Sequence, residues 1–110
     1  MKKLFVSVPM KDLTEEEIKY SLTKMHRIAE AYEGEELELI DSWVGEAPPT
    51  NCNASAWYLG KSIEKLAEAD VFIGIDTNIV KAPGCAVERQ VALNYGIKCY
   101  IVPTNVSLFN

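Results

Sequence analysis

Short apolar runs alternate with helical patterns along this chain, and this alternation constrains the fold more than any other feature. The first run, residues 4–8, reads LFVSV, and residues 71–75 and 97–102 are also rich in apolar side chains. Nearly continuous apolarity is typical of parallel strands that are covered on both faces. Residues 37–40 predict a further, shorter strand. The pattern therefore favours parallel strands joined by helices.

Helical spacing of apolar residues predicts a helix in each interval between strands. Thr14 and Glu17 have the spacing of a capping box at the start of the first helix. A second helix is expected over residues 56–68 with Ser55 as its N-cap, and a third over residues 84–95. The alternating order with short connections predicts an α/β fold, an open parallel sheet of about four strands with helices on both faces.

Length and charge restrict the class of protein. The chain has 110 residues, and residues 1–110 are expected to form a single domain. Its net charge of −5 disfavours a nucleic-acid partner, because binding to a polyanion needs a basic face. The apolar run near the N-terminus is too short for a membrane span, so no membrane partner is expected.

Cysteine spacing and the glycine pattern exclude several kinds of site. Cys52, Cys85 and Cys99 have no CxxC spacing, which disfavours a disulfide framework and a zinc site and favours reduced thiols in a cytoplasm. Neither GxGxxG nor a P-loop motif follows a strand, which disfavours dinucleotide binding of the usual kind. No metal or other cofactor is predicted.

In open parallel sheets a ligand binds beyond the carboxyl ends of the strands, where the strand order reverses. A strand order of 2-1-3-4 would place this crevice between the first and third strands, with residues 76–88 on one side. Residues 44–55, rich in Gly, Pro and Asn, predict a flap nearby. The other residues expected to line the crevice follow the first and second strands: Ser7, Pro9, Met10, Asp41, Ser42 and Trp43.

Glu88 is the leading candidate for a reactive group. A helix that begins near Pro83 or Gly84 would place it within the first turn or so, where the helix dipole favours the ionised form. An ionised carboxylate suits a nucleophile at an anomeric carbon or a stabiliser of an oxocarbenium-like transition state. Alternatively, Glu88 only satisfies amide groups of the first turn. Gly84 and Cys85 would bring backbone N–H groups close to a phosphate or sugar oxygen.

Other side chains near the crevice have two interpretations each. Cys85, beside a helix N-terminus, could carry a lowered thiol pKa, although the position of His26 on the first helix disfavours a Cys–His dyad. Trp43, Trp57 and Tyr58 flank the flap and could stack on a nucleobase, or they could pack in the core and hinge.

Four segments carry a resemblance to a known family: LFVSVPM at residues 4–10, LGKSIEKL at 59–66, ADVFIGI at 69–75 and GCAVERQVA at 84–92. Together they resemble the nucleoside 2-deoxyribosyltransferase-like superfamily, with its small bacterial and phage branch as the closer match, over nearly the whole chain. The resemblance implies a three-layer flavodoxin-like or Rossmann-like fold and assembly as a homodimer or higher homo-oligomer. It also implies cleavage or transfer at the N-glycosidic bond of a deoxynucleoside or its 5′-monophosphate.

The resemblance further implies roles for individual residues. In the family, the glutamate of a Gly-x-x-x-Glu helix start attacks or stabilises the anomeric carbon, and the segment from Gly84 to Glu88 fits this pattern. By the same resemblance, the loop from Ser7 to Met10 contributes to the sugar and base pocket. The glycine-led turn would hold a 5′-phosphate.

The chain departs from the family at two places. Ser62 stands where the enzymes carry an aspartate that orients the glutamate, and Asp76 is the candidate that would partly substitute for it as a second catalytic residue. The family serine that contacts a 5′-phosphate is absent, and Lys81 or Lys61 could balance the phosphate charge instead.

Three functions stay open at this point. The first is an enzyme with Glu88 as nucleophile, and the second is a non-catalytic protein that binds a nucleotide or nucleotide-sugar for sensing or sequestration. The third, a structural or protein-interaction role, requires a crevice filled by side chains. Residues 103–110 include Val106, Leu108 and Phe109, an apolar segment that would be buried by docking onto a partner subunit.

Overall fold

The structure, a computed structural model, describes residues 1–77 and 81–103. The subunit-docking prediction for residues 103–110 falls, apart from Pro103, outside the described residues. The elements in chain order are β1 (Lys3–Ser7), α1 (Glu15–Glu33), β2 (Glu38–Leu39), α2 (Ala54–Leu66), β3 (Val71–Ile75), α3 (Pro83–Asn94) and β4 (Lys98–Val102).

Within this described part, the strands form a four-stranded sheet in the order β2-β1-β3-β4, and every pairing is parallel. The predicted α/β fold class is confirmed, and the strand order is the 2-1-3-4 arrangement that would place a crevice between β1 and β3. Residue pairs such as Val6 with Ile73 and Ser7 with Gly74 bring β1 and β3 side by side. The point where the strand order reverses therefore lies at the carboxyl ends of these two strands.

Both faces of the sheet are covered, which explains the nearly continuous apolar runs. Successive side chains of a strand point to opposite faces of the sheet. Phe5 and Phe72 therefore lie on one face, and the residues next to them along each strand lie on the other. Leu66 of α2 and Ala92 of α3 pack with these two phenylalanines. The residues buried together on the opposite face include Leu4, Val6, Val71 and Ile73 of the strands and Met25 and Ala29 of α1.

The helix starts show one prediction confirmed and one wrong. The Thr14 hydroxyl accepts from the Glu17 amide at 3.1 Å and Glu17 Oε1 accepts from the Thr14 amide at 3.1 Å, which completes the predicted capping box. The N-cap of α2 is Asn53, whose Oδ1 accepts from the Ala56 amide at 3.0 Å, and not Ser55. Asn and Ser are similarly good N-caps, so composition alone did not distinguish them.

A charged cluster joins the end of α1 to the amino ends of two strands. Glu33, whose side chain is 3% exposed, lies 2.7 Å from Lys98 Nζ and 3.4 Å from Lys2 Nζ. The Tyr100 hydroxyl also donates to Glu33 at 2.6 Å. The Lys98 ammonium, followed by the Tyr100 hydroxyl, lowers the pKa of Glu33 to about 2. This cluster lies at the opposite edge of the sheet from the crevice.

No helix within residues 1–77 and 81–103 combines the length and the apolar character that a membrane span requires.

Candidate functional site at the carboxyl edge of the sheet

Ser7 is the last residue of β1 and the first component of the site. It pairs with Gly74 of β3, and both lie on the face covered by α2 and α3. A Cβ atom at Gly74 would lie 3.0 Å from Phe72 Cε1 and 3.4 Å from the Ser7 carbonyl oxygen. A larger residue at this position would therefore displace the Phe72 ring, which is itself fully buried.

Glu88 lies at the meeting point of three elements. The hydroxyl of Ser7, from β1, donates to Glu88 Oε1 at 2.8 Å. The hydroxyl of Ser62, from α2, donates to Glu88 Oε2 in a short hydrogen bond. The glutamate, from α3, is 8% exposed and Ser7 is 2% exposed, whereas Ser62 is half-buried. Each carboxylate oxygen of Glu88 is thus held by a hydroxyl from a different element.

Burial controls the electrostatics of Glu88. It raises the pKa of the carboxyl group, and the hydrogen bonds from Ser62 and Ser7 offset only part of that effect. The helix dipole, which was expected to favour the ionised form, does not set the direction of this shift. Helix α3 begins at Pro83, which places Glu88 sixth in the helix, and the dipole acts mainly within the first turn.

The same geometry excludes the simplest structural role for this glutamate. A residue that satisfied amide groups at the helix start would direct its oxygens to the backbone. Both oxygens of Glu88 accept instead from side chains of other elements.

Cys85 lies beside these groups, in the first turn of α3, and is buried. Burial raises the pKa of its thiol, the Ser7 hydroxyl lowers it in part, and the charge of Glu88 raises it further. The expectation of a lowered thiol pKa is therefore wrong, because desolvation opposes the thiolate. His26 is engaged elsewhere, with Nε2 at 2.7 Å from the Leu37 carbonyl oxygen, so these residues form no Cys–His dyad.

Asp76 follows β3 but takes no part in the Glu88 cluster. Its carboxylate is exposed and lies 3.6 Å from Arg89 Nη1, and its amide donates to the Val102 carbonyl at 2.8 Å. Among the described residues no hydrogen bond or ion pair joins it to Glu88. Sequence reasoning missed Arg89, because its proximity to Asp76 depends on the packing of α3 against the sheet.

The remaining predicted site residues lie around this cluster rather than in it. Pro9, Ser42 and Gly84 are half-buried, whereas Met10 is exposed. Asp41 Oδ1 accepts from the Trp43 amide at 2.9 Å, which fixes the turn after β2.

The aromatic side chains lie on the outer surface near α2. Trp43 is 73% exposed and lines a cavity of about 300 Å³ together with Lys61, Lys65 and other residues of the outer face of α2. Tyr58 is exposed and packs edge-on against Trp57, with ring centroids 5.1 Å apart.

A second cavity, of about 510 Å³, lies along the outer face of α1, where Lys19 and Arg27 contribute to its lining. Glu88 lines neither of these two cavities of the described residues. Its low exposure places the glutamate in a nearly closed polar cluster at the carboxyl ends of β1 and β3.

The described ranges 1–77 and 81–103 contain no group of three or more His, Cys, Asp or Glu side chains placed to hold a metal ion. The Glu88 cluster itself consists of a carboxyl group, two hydroxyls and a thiol.

Comparisons with protein-family models, with curated proteins and with solved structures find no match to this chain.

Proposed function

We propose that the protein binds a nucleoside or nucleotide at the crevice between β1 and β3 and cleaves or transfers at its N-glycosidic bond, with Glu88 as nucleophile. The main support is the buried Glu88, whose two carboxylate oxygens are each held by a serine hydroxyl. A buried carboxyl with a raised pKa opposes folding, so a function is a reason to retain it. The position at the carboxyl edge agrees with where parallel sheets bind ligands.

The proposed reaction has two steps. A carboxylate oxygen of Glu88 forms a bond to C1′ of the deoxyribose as the bond from C1′ to the base nitrogen breaks, and the electron pair leaves with the base, which takes a proton from water. Water then attacks C1′ and releases the carboxylate, or an acceptor base does so and the reaction is a transfer. Because the nucleophile is the ionised form, activity is expected to rise with pH through the pKa of Glu88.

A second function, binding of a nucleotide or nucleotide-sugar without turnover, is favoured by the position of Asp76. Asp76 pairs with Arg89 rather than supporting the glutamate. In that case the crevice would serve sensing or sequestration.

Location and assembly form part of the same proposal. Free thiols at all three cysteines are compatible with a reducing cytoplasm.

Leu93, Tyr95 and Ile101 are exposed apolar side chains that a second copy of the chain could cover in a homodimer or higher homo-oligomer. Sedimentation equilibrium tests the assembly, and a monomer mass at all concentrations would contradict it.

The reaction is tested by incubating the protein with each common 2′-deoxynucleoside and its 5′-monophosphate and measuring released base by chromatography. We expect base release by the wild type and its loss in Glu88→Ala. The matched control is Glu16→Ala, an exposed glutamate of α1, which should keep full activity. Equal release by wild type and Glu88→Ala would refute the nucleophile. Calorimetric binding with the ligand recovered intact would establish the second function instead.

A further inference from the structure

The two hydroxyls that hold Glu88 differ in how they are placed. Ser7 is in the sheet, where its strand pairs with β3 at Gly74, and it is 2% exposed. Ser62 is on a helix and is half-buried. Oε1 of Glu88 therefore accepts from a fully buried serine at the end of β1, and Oε2 accepts from a half-buried serine of α2.

We propose that Ser7 and Ser62 are positioning residues with different tasks: Ser7 anchors Oε1 of Glu88, and Ser62 holds Oε2 until a ligand takes its place. This inference rests on the proposed function and deepens it, because it makes Oε2 the oxygen that attacks C1′. A hydroxyl on a half-buried helix position can rotate about its Cα–Cβ bond toward a ligand, whereas the Ser7 hydroxyl is enclosed.

The hydroxyls also orient the carboxylate without a second negative charge. Hydrogen bonds to the ionised form of a carboxyl group lower its pKa, whereas a neighbouring carboxylate raises it. An aspartate in place of Ser62 would thus oppose ionisation of Glu88.

Cys85 of α3 is a titratable neighbour of Glu88, and its pKa responds to the charge of the glutamate. Two cations of α2 and α3 have partners other than Glu88: Lys61 Nζ lies 3.8 Å from Glu64, and Arg89 pairs with Asp76. The serine hydroxyls are therefore the groups that favour the carboxylate in this cluster.

The test compares Ser7→Ala and Ser62→Ala with Ser55→Ala, an exposed serine of the same helix as Ser62. Carbon-13 NMR of the Glu88 carboxyl measures its pKa in each folded variant, and the kinetic probe is 2′-deoxyadenosine 5′-monophosphate. Loss of either donor should raise the pKa of Glu88 by about one pH unit, the effect of one hydrogen bond to a charged group. Ser55→Ala should leave it unchanged, and Ser62→Asp should raise it more than Ser62→Ala does.

The kinetics separate the two tasks. At a pH above the pKa of Glu88, Ser7→Ala should lower kcat about tenfold with KM unchanged, because the carboxylate loses its orientation. Ser62→Ala should keep kcat within about threefold, since Oε2 must be released in any case. Ser7→Thr, which retains a hydroxyl, should recover activity.

The outcomes distinguish failure of this inference from failure of the proposed reaction. An unchanged Glu88 pKa in both alanine variants would overturn the inference even if the wild type releases base. Equal losses of kcat in both variants would overturn the division of tasks. Raised pKa values without base release by the wild type would refute the proposed reaction while supporting the hydroxyl pair as donors to Glu88. If Ser7→Ala does not fold, the titration of Ser62→Ala on its own decides whether the donors act on Glu88.

Discussion

Replacing Glu88 by Gln should stabilise the protein, and the gain should depend on pH. Burial raises the pKa of Glu88 above its ordinary value of 4.5 in the folded state. Between the unfolded and folded pKa values the folded protein binds more protons, so its stability falls as pH rises. Below the unfolded pKa the carboxyl is neutral in both states and the penalty is absent; above the folded pKa the penalty is complete and constant.

The magnitude follows from this linkage. In the window between the two pKa values, the free energy of unfolding of the wild type should decline by about 1.4 kcal/mol per pH unit relative to Glu88→Gln. Gln keeps one carbonyl acceptor for a serine hydroxyl, and its NH₂ group donates to the other hydroxyl, so Ser7 and Ser62 retain partners. The total gain at high pH should equal the rise in the pKa of Glu88, measured by NMR, multiplied by the same factor.

The assay is urea denaturation followed by circular dichroism at intervals from pH 4 to pH 9. Glu16→Gln, an exposed substitution on α1, is the control, and it should leave the contribution of Glu88 to the pH dependence in place. Parallel stability curves for wild type and Glu88→Gln across the whole range would refute the conclusion that burial dominates at this glutamate.

Two further predictions concern the scaffold. Glu33→Gln should be less stable than the wild type at pH 7, because the contribution of Glu33 is complete above pH 4.5. The difference should shrink as pH falls toward the folded pKa of about 2 and be lost below it. A difference independent of pH would contradict this. Leu66→Ala should lower the free energy of unfolding by about 2–5 kcal/mol, since it opens a cavity beside Phe5, Phe72 and Ala92. Urea denaturation measures the loss. A loss below about 1 kcal/mol would show that the surrounding side chains fill the cavity.

The sequence predicted the capping box of α1 because this motif depends only on residues close together in the chain. Thr14 and Glu17 make their contacts within one helical turn, so their spacing predicted the capping box. The N-cap of α2 was harder to predict from the sequence. Asn53 and Ser55 are both suitable N-caps, and the choice depends on how the chain enters the helix.

The pKa of Glu88 could not be predicted from the sequence. Its place after a buried strand marked Glu88 as a candidate, yet the raised pKa of its carboxyl group did not follow from the pattern. The pKa of this carboxyl depends on burial and on Ser7 and Ser62, which are 81 and 26 residues away along the chain. Such distant contacts leave no periodic signal in the sequence.

The sequence by itself determined the parallel α/β architecture, because apolar runs and helical periodicity reflect which faces of each element must be buried. The tertiary structure decided the electrostatic state of the candidate site, the pairing of Asp76 with Arg89 and the enclosure of Cys85. Those properties depend on the distances between elements and on the water excluded between them, and both arise only when β1, α2 and α3 pack together.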